Sequence, residues 1–285
     1  YVRELDVSDA ELGPAVEKAK KQFVGIELPG RTLGVVGLGA IGVEVANAAL
    51  SLGMKVVGYD PSITVQRAWQ LSAGVKQAAN LDALFSRADV VTVHVPLIDR
   101  TRNLVNADRI SVMRRGAVIL NFARGGIVDE SAVAEALDSG ALHTYVSDFP
   151  SNALKSREDV ISLPHLGAST GEAEENCAVM AAENLRAFLE DGNVRHSVNF
   201  PETVLERQGP HRLAIPHRNV PNMVAQILTG LAAEDINIAD LLNKSRDELS
   251  YTVVDIDSPA SAEVLKTIRG IDCILSVRVL PEIED

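Results

Sequence analysis

The sequence predicts an α/β protein, with a doubly wound parallel sheet followed by a smaller βαββαβ unit. Three observations lead there. Between residues 31 and 166, short β-branched apolar runs alternate with amphipathic helical stretches, the pattern of βαβ units whose strands are buried on both faces. A glycine-rich turn, Gly37-Leu38-Gly39-Ala40-Ile41-Gly42, joins the first run to the first helix. From residue 212 the order changes to strand, helix, strand, strand, helix, strand, the split pattern of ferredoxin-like units.

Taken in order, residues 1–23 are a charged, partly helical lead-in. Strands are expected at 32–36, 55–59, 90–95, 117–122, 144–148 and 160–163, and helices at 41–52, 81–88, 108–114 and 130–139. Residues 171–191 carry a long helical pattern with Glu172, Glu174 and Glu175 near its start, where the helix dipole favours acids, and it stops at Gly192. Residues 195–207 lack periodicity and suit a linker. The second unit has strands at 213–216, 236–242, 251–256 and 274–280 and helices at 221–234 and 260–269. Four segments are therefore expected: a lead-in over 1–29, a nucleotide-binding unit over 30–166, a helix and linker over 167–208, and the small unit over 209–285.

The bulk composition narrows the function classes. The chain has 285 residues, 46% hydrophobic, with a formal net charge of −12. No basic face is available to neutralise phosphates, which argues against a nucleic-acid partner. No apolar run is long enough for a membrane helix, and no charged-then-apolar leader opens the sequence, so a cytoplasmic protein is expected. Cys177 and Cys273 fit no metal-ligand spacing, so no metal is expected, and they read as buried thiols. The first residue is Tyr1 and not Met, which suggests a fragment of a longer chain.

The glycine turn carries the first chemistry. A strand, a G-x-G-x-x-G turn and a helix form the Rossmann dinucleotide fingerprint. Gly37 makes the tight turn, Gly39 lets the backbone approach a pyrophosphate at the helix N-terminus, and Gly42 lets helix and strand pack closely. Asp60 closes the second strand, at the distance from the glycines that the fingerprint requires of its acidic residue. A carboxylate there accepts hydrogen bonds from ribose hydroxyls and repels a 2′-phosphate, and no arginine follows at once, so NAD is expected and not NADP. A bland strand–turn–helix is the alternative. The residues expected to touch the cofactor are Gly37, Gly39, Ala40, Ile41, Gly42, Asp60 and Pro61, with Val95, Pro96, Ala123, Asp148 and Gly167 from later strand ends.

Three segments should end strands on the carboxyl edge of the sheet, where open α/β folds bind ligands: Val95-Pro96-Leu97, the run from Asn121 through Arg124 to Asp129, and the run from Pro164 through His165 to Thr170. Arg124 before two glycines could grip a carboxylate bidentately, and His165 could act as a general base near neutral pH. Taken singly, each has a bland reading as a surface arginine or a structural histidine.

Together these segments resemble the signatures of the D-2-hydroxyacid dehydrogenase family. The resemblance implies that Arg124 binds the substrate's carboxylate and carbonyl oxygen, and that His165 takes the C2 hydroxyl proton while hydride passes to the nicotinamide. The family pairs its histidine with a glutamate in the loop after the aspartate that is here Asp148, and the matching position holds Ala153. Glu158 and Asp159 are the other candidates for a carboxylate near His165. Without such a partner an imidazolium loses stabilisation, so His165 is expected to titrate lower than is usual for the family.

Residues 212–285 resemble ACT regulatory domains. The match is to the branch of the family that carries this domain and oxidises 3-phosphoglycerate, which implies 3-phosphoglycerate as substrate and L-serine as effector. His217 and Asn219, with Asn237 further along, match the serine-binding pattern in identity and spacing. An imidazole with two carboxamides can satisfy an amino acid's carboxylate and ammonium. The bland reading is that the asparagines cap turns. Where the family has glycine this chain has Asn222, which tolerates left-handed backbone. Family members also carry a flavodoxin-like half-domain ahead of the nucleotide-binding unit, roughly 100 residues that this chain is expected to lack, with poor turnover as the consequence. Homo-oligomers through the ACT and Rossmann units are expected. The competing readings are a glyoxylate or hydroxypyruvate reductase and an NAD-sensing protein without catalysis.

Overall fold

The computed structural model describes residues 1–281. The chain divides into two compact units, Tyr1–Gly167 and the remainder from Ala168.

The first unit opens with a helix, α1 (Asp9–Ala19), started by a capping box between Ser8 and Glu11, and no residue of α1 is buried. Seven parallel strands follow: β1 (Thr32–Val36), β2 (Lys55–Tyr59), β3 (Lys76–Gln77), β4 (Val90–Val93), β5 (Ala117–Asn121), β6 (Leu142–Ser147) and β7 (Val160–Ser162). Their order in the sheet is β3-β2-β1-β4-β5-β6-β7. The chain runs outward from β1 to β3 and returns to β4 on the other side, so β1 and β4 flank the switch point where such sheets bind ligands. The helices between them are α2 (Ala40–Ser51), α3 (Val65–Gln70), α4 (Leu81–Arg87), α5 (Ala107–Ser111) and α6 (Glu130–Asp138).

Alternation along β1 builds two core layers. Leu33 and Val35 pack with Val43, Ala46 and Ala49 of α2. Val36 joins the opposite layer, with Leu84 and Phe85 of α4 and Val133, Ala136 and Leu137 of α6. β1 and β2 have the bounds their sequence implies. β4, β5, β6 and β7 end one or two residues sooner, releasing His94, Val95, Phe122, Asp148 and Leu163 from the sheet. β3 and α3 have no counterpart in the sequence reading. β3 is a polar Lys-Gln pair without apolar alternation, and α3 is a short helix started by the Thr64 hydroxyl accepting from the Arg67 N–H.

The second unit begins with α7 (Gly171–Asp191), capped by Thr170 and ended by Gly192 at φ +70°. Then come β8 (His211–Arg218), α8 (Met223–Ala232), β9 (Ile238–Arg246), β10 (Leu249–Ile256), α9 (Ala262–Arg269) and β11 (Arg278–Val279). The four strands form a small antiparallel sheet in the order β11-β8-β10-β9. Leu213, Ile215, Val254 and Ile256 face Ile227 and Leu231 of α8 and Val264 and Ile268 of α9. The other face carries Ala214, Tyr251 and Val253 with Val194, Leu280 and Phe188. The last strand is much shorter than residues 274–280, and Ile274 makes only an isolated bridge to His217. α8 starts from Asn222 in the left-handed conformation, φ +71°.

Arg212 and Asp255 are fully buried and paired bidentately, and the remaining donors of Arg212 reach the carbonyls of Asp191 and Leu205. The cysteines correct the sequence reading. Cys177 is exposed on α7, none of whose residues is buried, and Cys273 is half-exposed. Among the described residues no helix is long and apolar enough to cross a membrane.

Candidate active site

The glycine turn follows β1 directly. Gly37 sits at φ +90°, and a Cβ there would lie 2.5 Å from the His94 carbonyl oxygen. A Cβ on Gly42 would lie 1.9 Å from the Gly37 carbonyl oxygen, so only glycine closes α2 onto the turn. Gly39, Ala40 and Ile41 are exposed at the start of α2, where free N–H groups favour an anion. A cavity of about 410 Å³ opens beside them, bounded by Gly37, Gly39, Asp60, Pro61, Val95 and Pro96. That volume suits a nucleotide-sized ligand.

Asp60 has a second task. Its Oδ2 accepts from the Leu38 N–H and its Oδ1 from the Ser62 N–H, both at 2.8 Å, which ties the glycine turn to the end of β2. Each oxygen keeps a further lone pair for a ribose hydroxyl. The donor set and the glycine cradle therefore fit a dinucleotide.

A second cavity, about 540 Å³, shares His94, Val95 and Pro96 with the first and reaches Ile41, Ala123 and Arg124. Asn121 shapes that side. It is 1% exposed, donates from Nδ2 to the Arg124 carbonyl and accepts from the Ala123 N–H. This places Arg124 on a turn with one guanidinium N–H on its neighbour's carbonyl. The Arg124 guanidinium also lies 5.9 Å from the centre of the Phe149 ring, and the His165 ring lies 4.7 Å from that same ring. Phe149 is thus in contact with both residues singled out for chemistry.

The carboxylate expected beside His165 is present, though from another residue. Asp148 Oδ2 lies 3.1 Å from His165 Nδ1. Ala153 is exposed. Asp159 precedes β7, whereas His165 follows it, so the strand separates them. Asp159 is held instead by Arg157, whose guanidinium pulls its carboxyl below the ordinary range. The premise that His165 lacks a carboxylate neighbour is therefore overturned. Sequence counting misses it because β6 and β7 are adjacent and parallel, which puts the residue after β6 beside the turn after β7. Gly167 is exposed at the end of this unit and touches nothing that would exclude a side chain.

His94 has no counterpart in the sequence reading. It lines both cavities, its Nε2 lies 2.9 Å from the Thr92 hydroxyl, and burial lowers its pKa. The signal that could have found it is a His-Val-Pro run at a strand end.

In the second unit the three residues matched to an amino-acid effector do not meet. His217 is 2% exposed, with Nδ1 against the Arg218 carbonyl and Nε2 against Asn243 and Thr252. Asn219 follows β8 and donates to the Asp247 carbonyl. Asn237 precedes β9, and its N–H donates to Asp257. β8 and β9 both run antiparallel to β10, so the end of β8 and the start of β9 lie at opposite ends of the sheet.

Residues 2–167 match the D-isomer specific 2-hydroxyacid dehydrogenase family, NAD binding domain. The chain belongs to that family. Its first unit is accordingly an NAD-binding domain. The chain is 35% identical to a D-3-phosphoglycerate dehydrogenase of Haemophilus influenzae across 89% of its own length and 64% of the relative's. It is 46% identical to one of Pongo abelii across 55% of its length and 30% of the relative's. It spans less than two thirds of both. Among solved structures, apo D-mandelate dehydrogenase of Rhodotorula graminis superposes with a TM-score of 0.56 at 29% identity, covering 65% of this chain and 55% of that one.

Proposed function

We propose that the protein oxidises 3-phosphoglycerate to 3-phosphohydroxypyruvate with NAD as acceptor, and that its small C-terminal unit is an ACT regulatory domain. The observation that carries the catalytic half is the grouping of Arg124, Phe149 and His165 at the sheet edge that also holds the dinucleotide turn. The substrate follows from likeness to proteins named D-3-phosphoglycerate dehydrogenase, one of which aligns over 89% of the chain.

In this reading Arg124 grips the substrate's carboxylate and carbonyl oxygen, its planar fork suited to two parallel hydrogen bonds. His165 Nε2 accepts the C2 hydroxyl proton as the C2–H bond gives up hydride. Bound NAD would supply the hydride acceptor. Asp60 would hold the adenosine ribose, and the N–H groups at the start of α2 the pyrophosphate.

The test is NADH formation from 3-phosphoglycerate beside a panel of other 2-hydroxy acids. Slow conversion of 3-phosphoglycerate, abolished in Arg124→Ala and His165→Gln, is expected. Faster turnover of glyoxylate or hydroxypyruvate in the reverse direction would replace the substrate, and tight NAD binding without turnover of any acid would favour an NAD-sensing role.

For the ACT reading, the support is the βαββαβ order and the strand order of the small sheet. Because Asn219 lies at the opposite end from Asn237, a serine molecule reaches both asparagines between two copies related by a two-fold axis, whereas His217 is buried with both ring nitrogens engaged. L-Serine binding should therefore rise with dimer formation, and Asn237→Ala should weaken both. Serine binding by a monomer would rule this arrangement out.

A further inference from the structure

We propose that Asp148 is the positioning residue for His165: its carboxylate fixes the ring so that Nδ1 carries the proton and Nε2 presents the basic lone pair. The inference rests on His165 being the base proposed above.

The placement follows from the sheet. β6 ends at Ser147, and the Leu163 N–H donates to the Ser147 carbonyl, so the chain leaving β7 is pinned beside the chain leaving β6. The Ser147 hydroxyl accepts from the Phe149 N–H and turns the chain just after Asp148. Two short exits thus meet at one edge, the first presenting Asp148 and the second His165. Oδ2 of Asp148 stands 3.1 Å from Nδ1. An ionised carboxylate can only accept, so Nδ1 must donate, and the neutral ring keeps its lone pair on Nε2.

The burial of the two partners differs in the way such a device needs. Asp148 is 7% exposed, whereas half of the His165 side chain is open to solvent. The carboxylate is the fixed member and the imidazole the accessible one. Among the described residues, Asp148 Oδ1 is buried and takes no hydrogen bond from another residue, while Oδ2 faces the ring. Asp148 makes the direct contact with the ring, and the Phe149 ring lies against both the imidazole and the Arg124 guanidinium.

The experiment compares wild type with Asp148→Asn, which keeps the shape and removes the charge, and Asp148→Glu, which keeps the charge. The ring nitrogens of His165 are followed by nitrogen NMR, assigned by their loss in His165→Gln. Wild type is expected to hold one neutral tautomer with the proton on Nδ1, and Asp148→Asn a mixture. With 3-phosphoglycerate and NAD, Asp148→Asn is expected to lose about 10²-fold in kcat with little change in KM. Asp148→Glu should recover part of the tautomer preference and of kcat. An unchanged tautomer in Asp148→Asn overturns the proposal even if the protein turns over no substrate. An altered tautomer together with undiminished activity in His165→Gln would instead leave the positioning contact standing and remove His165 as the base.

Discussion

The two sheets of this chain treat their loop ends in opposite ways. In the first unit all seven strands are parallel, so every strand exit falls on one edge, and residues as distant in sequence as Gly37, Arg124, Asp148 and His165 share that edge. In the second unit neighbouring strands alternate, so exits are divided between two ends, and Asn219 and Asn237 are separated although close in sequence. A parallel sheet gathers chemistry from the whole of its sequence at one edge, whereas an antiparallel sheet of this size divides it between two ends.

The sharpest way to break the comparison is at the interior of the small unit. Arg212→Ala removes one partner of a fully buried pair and leaves the Asp255 charge with the Gln208 N–H but no cation. A loss of about 3–5 kcal/mol in the unfolding free energy is expected by denaturant titration. NAD affinity, governed by the other unit, should be retained by the variant under native conditions. A loss of NAD binding in step with unfolding of the small unit would show that the two units are not independent.

Next in size is Gly42→Ala. The added Cβ meets the Gly37 carbonyl and should push α2 off the turn, lowering NAD affinity at least tenfold by calorimetry, a change of about 1.4 kcal/mol. Acid should act on this unit in a defined window. Burial holds the His94 pKa below its ordinary value of about 6.5, so the unfolded chain takes up that proton first. The corresponding stability is complete above that ordinary value and is lost as pH falls through it towards the lowered one. His94→Gln should flatten that part of the stability–pH curve. The smallest expected effect is at Asp129, whose carboxylate caps α6 by accepting from the Ser131 and Ala132 N–H groups. Asp129→Ala should cost about 1 kcal/mol without altering NAD binding.

The first unit is more legible in the sequence than the second for the same reason. β1, β2, the glycine turn and Asp60 are consecutive features, and their local order already specifies their proximity. Arg124 and His165 can be placed at one edge because parallel topology sends every strand end there. What escapes is lateral adjacency. Asp148 is separated from His165 by a loop and the whole of β7, and nothing in a linear count shows that β6 and β7 are neighbours. Phe149 and Asn121 escape for a related reason: their contacts lie across strand ends. In the small unit the order of elements can be read from periodicity. The burial of His217 cannot, because the helix-facing side of β8 turns polar there after the apolar Leu213 and Ile215. Its satisfaction depends on Asn243 and Thr252 from two other strands.

The double engagement of Asp60 has a consequence for changing the cofactor. A chain selected or engineered to take a phosphorylated dinucleotide would ordinarily discard this carboxylate. Here that substitution would also orphan the Leu38 and Ser62 N–H groups and loosen the turn that receives the pyrophosphate. Cofactor preference and turn geometry are therefore inherited together. Even Asn would keep an acceptor for only one of those amides and set its NH2 against the other, so a switch would need a second acceptor for the turn as well as a cation from elsewhere along the rim.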